Sequence, residues 1–280
     1  MKKPIIAIMY DFDKTLCTRD MQEYTFIPSV GMSPDEFWRY TGEVASKETM
    51  DSILTYMYCM VEQARKTGNP LTRESLVACG KDIEYHKGVE GWFERINRYA
   101  EEAGVEVEHY VLSSGLKEII EGTSIAKYFK RIYACEFLYK DGSAYWPKMA
   151  VNYTNKTQFV YRINKGVLDI NNNVDLNNSR PDSEKRVFFS NMIYIGDGLT
   201  DVPCMKLVKE SGGHSIAIYH AGQHQDAAPL LKHKRVDWMF EADYSEGSDL
   251  DCTMQLLLKN LGYYNKLKGL NEQQKKDFNE

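Results

Sequence analysis

Residues 5–16, IIAIMYDFDKTL, constrain the fold more than any other stretch of the chain. Five of the six residues from Ile5 to Tyr10 are strongly apolar, a run too short for a helix and right for a fully buried strand. Strands of that kind belong to parallel sheets covered by helices on both faces. The run stops at Asp11, and Asp13 follows two positions later. Open α/β sheets bind ligands beyond the carboxyl ends of their strands, which is where this pair of acids stands. Two carboxylates so close repel each other, so either a cation sits between them or one stays protonated. On its own the pair also fits an ordinary turn in which Asp bonds locally.

Behind this strand the pattern changes. From Cys17 to about His86 the sequence reads as helical: Ser33, Pro34 and Glu36 form a helix start with a capping box. A longer helix follows, with Ile53, Leu54, Met57, Met60, Val61 and Ala64 on one face and Gly68 and Asn69-Pro70 as its stop. Thr72 opens a shorter one. Residues 17–86 are therefore expected to form an inserted all-helical cap. Residues 1–16 and 87–265 should form an α/β core, and residues 266–280 a polar, frayed tail.

From Gly88 onward, strands and helices alternate, which implies a mostly parallel sheet with helices on both sides. An amphipathic helix from Gly88 precedes a strand, EHYVLSSG, that ends at Ser113-Ser114-Gly115. RIYACEFLY and SAYWPKMAV flank the turn Lys140-Asp141-Gly142 as a β-hairpin. A helix starts near Lys156, and NMIYIGDG is a third core strand ending at Gly196-Asp197, with a helix from about Thr200. HSIAIYH and VDWMFEAD supply two more strands, with helices near 225–232 and 249–261. The Asn-rich stretch from Leu168 to Ser190 imitates the front of a calcium loop at Asp169, Asn171, Asn173 and Asp175. Val174 replaces the required Gly and Arg180 the bidentate Glu, so a polar surface loop is expected instead.

Composition excludes several classes of protein. The net charge of −5 argues against a general nucleic-acid binder. The six cysteines are scattered with no CxxC pair, which favours a reducing cytoplasm over a disulfide framework or zinc site. No apolar run is long enough to span a bilayer, and the short run after MKKP ends at Asp11 instead of a cleavage site. Oligomeric state is left open.

Three strand ends carry polar groups: Asp11 and Asp13, then Ser113, then Asp197 and Asp201 in GDGLTD. In a parallel sheet all three open on one edge, and Lys156 begins a helix between the second and the third. Unit charges about 4 Å apart near a surface repel by roughly 4 kcal/mol, so four acids in one crevice need cations. Mg²⁺ suits one or two carboxylates with waters and a substrate phosphate. Lys156 adds a positive charge and the Ser113 hydroxyl a phosphate donor.

In this order, DFDKTL, the strand ending at Ser113, Lys156 and GDGLTD resemble the four motifs of the haloacid dehalogenase superfamily. The helical insert after the first motif is similar to that of its phosphoserine-phosphatase-like branch. The resemblance implies a three-layer Rossmann-like core and a Mg²⁺-dependent phosphatase acting on a small phosphorylated metabolite. It makes Asp11 the nucleophile and Asp13 the acid and base. Asp11, the Asp13 backbone carbonyl and Asp197 would hold the metal, with Asp201 supporting that shell directly or through water. Ser113, Lys156 and backbone N–H groups near Phe12 and Ser114 would hold the phosphoryl oxygens. Lys148 and Lys165 compete with Lys156 for the lysine position, because the long loop before Asp197 widens the usual spacing. A second acid at Asp13 disfavours a dehalogenase. A phosphomutase, a phospho-accepting receiver and an inactive scaffold are the alternatives.

Overall fold

The computed structural model describes residues 3–179, 181 and 184–279. Among these, seven strands form one sheet in the order β4-β3-β2-β1-β5-β6-β7. The strands are β1 (Ile5–Tyr10), β2 (Glu106–Leu116), β3 (Phe129–Lys140), β4 (Ser143–Met149), β5 (Met192–Gly196), β6 (His214–Tyr219) and β7 (Trp238–Glu241). All neighbours pair parallel except β3 and β4, the expected hairpin turning at Asp141-Gly142.

β1 lies between β2 and β5, and its residues from Ile6 to Tyr10 are fully buried. Register then fixes the site. Tyr10 pairs with Val111 and with Ile195, so Asp11 follows beside the stretch of β2 that runs on through Ser113 and beside the end of β5, where Asp197 follows. The ladder continues one residue past the strand, since the Asp11 N–H donates to the Ile195 carbonyl at 2.9 Å.

Between residues 17 and 86 lie four α-helices: α1 (Phe26–Ser29), α2 (Pro34–Glu48), α3 (Ser52–Lys66) and α4 (Arg73–Cys79). The Ser33–Glu36 capping box forms, with Pro34 in the first turn of α2. The two ends of the insert pair with each other. Cys17 and Tyr85 form an antiparallel bridge, flanked by bonds from Thr18 N–H to the Glu84 carbonyl (3.0 Å) and His86 N–H to the Leu16 carbonyl (3.1 Å).

The remaining helices are α5 (Val89–Glu102), α6 (Lys117–Glu121), α7 (Lys156–Lys165), α8 (Asn173–Asn177), α9 (Val202–Glu210), α10 (His224–Lys232) and α11 (Asp249–Asn279). Two expectations need correction. The stretch after Lys266 is not frayed, because α11 runs on without a break to Asn279. The Asn-rich stretch is more ordered than a plain surface loop. It contains α8 and is clasped by the buried Arg162, which donates to the carbonyls of Asp169 (2.7 Å) and Ile170 (2.9 Å) and to Asn173 Oδ1 (2.6 Å). Of the residues that ruled out a calcium loop, Arg180 lies outside the described residues.

Candidate active site

Asp11, Lys156, Asp197 and Asp201 stand at or next to element ends, and Ser113 lies within β2, three residues before its end. Asp11 follows β1, and the chain then turns sharply: Thr15, Leu16 and Cys17 N–H groups all aim at the Phe12 carbonyl, with Lys14 in the left-handed region at φ 57°. That turn sends Asp13 away from Asp11. Its Oδ1 accepts from the Met21 N–H at 2.8 Å, and a Cβ on Gly115 would lie 2.7 Å from its Oδ2. Asp13 therefore sits under the start of the helical insert, against the end of β2.

Lys156 is the first residue of α7, and an Asx turn builds the bend before it. Asn152 Oδ1 accepts from the N–H groups of Thr154 (3.1 Å) and Asn155 (3.0 Å), and Asn155 Nδ2 donates to the Ala150 carbonyl at 2.8 Å. From there the buried Lys156 ammonium donates to Asp11 Oδ1 at 2.8 Å and to Asp201 Oδ1 at 2.9 Å. The two competing lysines are elsewhere. Lys148 pairs with Glu136 at 2.7 Å, and Lys165 donates to the carbonyls of Leu176 and Asn178.

Asp197 and Asp201 follow β5. A 3₁₀ turn, Leu199–Asp201, intervenes before α9, so the α-helix starts two residues later than Thr200. Ligand atoms of Asp11, Asp197 and Asp201 lie within 4.8 Å of one another. The Asp13 carboxylate is not part of this group. Two of the three carboxylates bond the Lys156 ammonium, and the charge of Lys14 also acts on Asp197. Burial first, then the charge of Asp201, push the Asp11 carboxyl up to about 7 against the pull of Lys156. Burial, Asp11 and Asp201 hold Asp197 well above the usual carboxylate range. Burial alone would lower the Lys156 ammonium, but Asp11 and Asp201 outweigh it and raise it. A divalent cation fits this donor set: hard oxygen ligands, excess negative charge and one lysine already engaged.

Ser113 is fully buried on β2, where its Oγ accepts from the Gly115 N–H at 2.9 Å. The Ser114 carbonyl takes two donors, the Tyr56 hydroxyl from α3 at 2.7 Å and Cys135 Sγ at 3.3 Å. Sequence reading missed three neighbours of the site. The Tyr194 hydroxyl, from β5, donates to Asp201 Oδ1 at 2.7 Å, and Thr15 Oγ1 reaches Asp197 Oδ1 at 3.4 Å. Tyr56 brings the insert into contact with the second strand end. Thr15 was visible in sequence only as a member of DFDKTL. Tyr194 and Tyr56 look in sequence like any aromatic of a buried strand or helix.

A sheet with acids at adjacent strand ends, a buried lysine on the following helix and an inserted helical unit defines a class, and sequence comparison gives the family. A profile for haloacid dehalogenase-like hydrolases matches residues 8–206, and the chain belongs to that family. It is 27% identical over 277 residues to an uncharacterized protein of Borreliella burgdorferi, covering 89% of this chain and 95% of that one. Solved structures share the fold. A hydrolase of the same family from Salmonella enterica serovar Typhi superposes with a TM-score of 0.57 at 15% identity, covering 91% of this chain and 72% of that one. A phospho-aspartyl intermediate analogue of phosphoserine phosphatase gives 0.53 at 17% identity, covering 89% and 96%. Cytosolic 5′-nucleotidase IIIB bound to cytidine gives 0.51 at 15% identity, covering 94% and 87%. No helix among the described residues is long and apolar enough to cross a membrane.

Proposed function

We propose that the protein is a Mg²⁺-dependent phosphatase that hydrolyses a small phosphomonoester through an aspartyl-phosphate on Asp11. The observation that carries this reading is the division of the acids into two environments. Asp11, Asp197 and Asp201 share one cluster with Lys156, whereas Asp13 is held apart by the Met21 N–H. A nucleophile and an acid need that separation: one must be an anion near positive charge, and the other must hold a proton near the leaving group.

Mg²⁺ would be held by Asp11, Asp197 and the Asp13 carbonyl, with Asp201 supporting, and when bound it supplies charge that lets an anionic nucleophile approach an anionic phosphate. Asp11 attacks phosphorus in line, and the bond to the leaving oxygen breaks. Asp13 donates its proton to that oxygen. Burial, then the charges of Asp20 and Asp11, raise the Asp13 carboxyl well above its ordinary value and favour the protonated form this step requires. Asp13 then takes a proton from water, the water oxygen attacks phosphorus, and the bond to Asp11 breaks, releasing phosphate. Lys156, the Ser113 hydroxyl and backbone N–H groups near Phe12 and Ser114 bind the phosphoryl oxygens. Residues 17–86 act as the cap that covers this edge and excludes water. The six cysteines, all free, fit a cytoplasmic protein.

Phosphate release from a panel of phosphorylated metabolites, with Mg²⁺ and with a chelator, tests the reading. The panel should include phosphoserine and nucleoside 5′-monophosphates, which the names of the similar structures point to. At least one compound is expected to be hydrolysed with Mg²⁺ and spared with chelator. Turnover indifferent to chelator would contradict the metal, and stoichiometric labelling without turnover would favour a phospho-accepting protein.

A further inference from the structure

Helix α11 has two unlike faces. Leu250, Met254, Leu257, Leu258 and Leu261 are buried against the body, Asn265 bonds with Asn191, and Lys268 lies over the Phe188 ring. The opposite face carries large apolar side chains in the open: Leu256 is 66% exposed, Tyr263 70%, Leu267 67% and Leu270 58%. Their spacing is seven, four and three, and Asn260 and Gln274, also exposed, complete it to an alternating three-four repeat. That is a heptad seam, with Asn260, Leu267 and Gln274 at a and Leu256, Tyr263 and Leu270 at d. Every described residue from 269 to 278 is exposed, so among the described residues this end of the helix has little packing to sustain it.

We propose that α11 is the interface of a homodimer, pairing parallel and in register with α11 of a second copy of this chain. The flanking residues select that partner and that direction. Lys259 and Lys266 occupy g, and Tyr264 and Asn271 occupy e. In a parallel pair each g side chain meets the e residue five positions on in the other helix, so Lys259 meets Tyr264 and Lys266 meets Asn271. An ammonium on a tyrosine face is an attractive pairing. An antiparallel pair instead sets Lys259 against Lys266 and repels. Asn260 acts in the same sense, because a polar side chain at a is satisfied by its own copy only when the helices are parallel and aligned. The seam points away from the body, so two bodies can flank it. This inference does not depend on the catalytic reading.

Sedimentation of the full chain over a range of concentrations tests it, together with Leu267→Glu. Wild type is expected at twice the chain mass and the variant at the chain mass, with the core still folded and a helical signal lowered by no more than the unsupported end of α11; a monomeric wild type, or a variant that stays dimeric, overturns the proposal. A second measurement does not depend on the variant folding. Cys252 is the exposed cysteine and the other five are buried, so Gln274→Cys in a Cys252→Ser background places a single accessible thiol at the far end of the seam. Mild oxidation is expected to convert most of the chain to a covalent dimer reversed by reductant. Absence of the cross-link means the pairing is not parallel and in register, and overturns it.

Discussion

Lys156 is the residue on which the charge of the site turns, because its ammonium is the group that bonds two of the three clustered carboxylates. Removing one member of a buried ionic network leaves its partners as uncompensated charges, which typically costs about 3–5 kcal/mol. Lys156→Met should therefore lower stability by about that amount in metal-free buffer, read by urea unfolding, and Mg²⁺ should restore part of it. Asp13 has a different dependence. Asp13→Asn should lose roughly 10²–10⁴ of the hydrolysis rate while still binding inorganic phosphate, as checked by steady-state kinetics beside a phosphate titration. Both acids of the first motif were legible as candidates at the end of a buried apolar run, and only the partners later in the chain separated them from an ordinary turn. Lys156 was legible only as one of three lysines. Its partners lie 145 and 45 positions away, and no local pattern encodes which lysine reaches them. Tyr194 was not legible at all, since a strand pattern says that a tyrosine is buried and not what its hydroxyl meets.

Among the elements, β1 and β5 place the site, and both depend on small or neutral groups around them. Gly196 ends β5, and a Cβ there would lie 2.4 Å from Asp201 Oδ2. Gly196→Ala should therefore displace Asp201 and reduce activity at least tenfold while the protein stays folded, as kinetics and circular dichroism together would report. Behind β1 runs a chain of buried polar groups. Trp92 Nε1 donates to the Tyr10 hydroxyl at 3.0 Å, that hydroxyl bonds His109 Nδ1 at 3.1 Å, and His109 Nε2 bonds Asn97 Oδ1 at 3.0 Å. A neutral His109 with its proton on Nε2 satisfies every member, whereas a charged ring would aim a second donor at Tyr10. Burial lowers His109 from its ordinary 6.5 to about 3. The unfolded chain therefore binds this proton at a higher pH than the folded one, so stability falls as pH drops from about 6.5 toward 3. The loss should be on the order of a few kcal/mol. In His109→Gln this part of the acid dependence should vanish, as denaturant midpoints between pH 7 and 4 would show. The hairpin was readable from its Lys-Asp-Gly turn, and α2 from its capping box. The far half of α11 was not, because a polar, exposed helix end looks the same in sequence as a frayed tail.

Across the whole molecule the acids of the first motif are covered from the insert side. The Tyr56 hydroxyl bonds the Ser114 carbonyl, Met21 N–H bonds Asp13, and His86 Nε2 lies 3.2 Å from the Lys14 carbonyl at the neck. The insert itself was visible in the sequence as a change of period after Cys17. How its helices meet the strand ends was not, since those contacts join residues tens of positions apart. The proposed mechanism, with one aspartate as nucleophile and another as acid, makes a single demand on chemistry. The most direct test measures inorganic phosphate released from an aryl phosphate by wild type and Asp11→Asn, each with Mg²⁺ and with chelator. The wild type should turn over only with Mg²⁺, and the folded Asp11→Asn protein not at all; hydrolysis by Asp11→Asn at a rate near that of wild type would contradict the account.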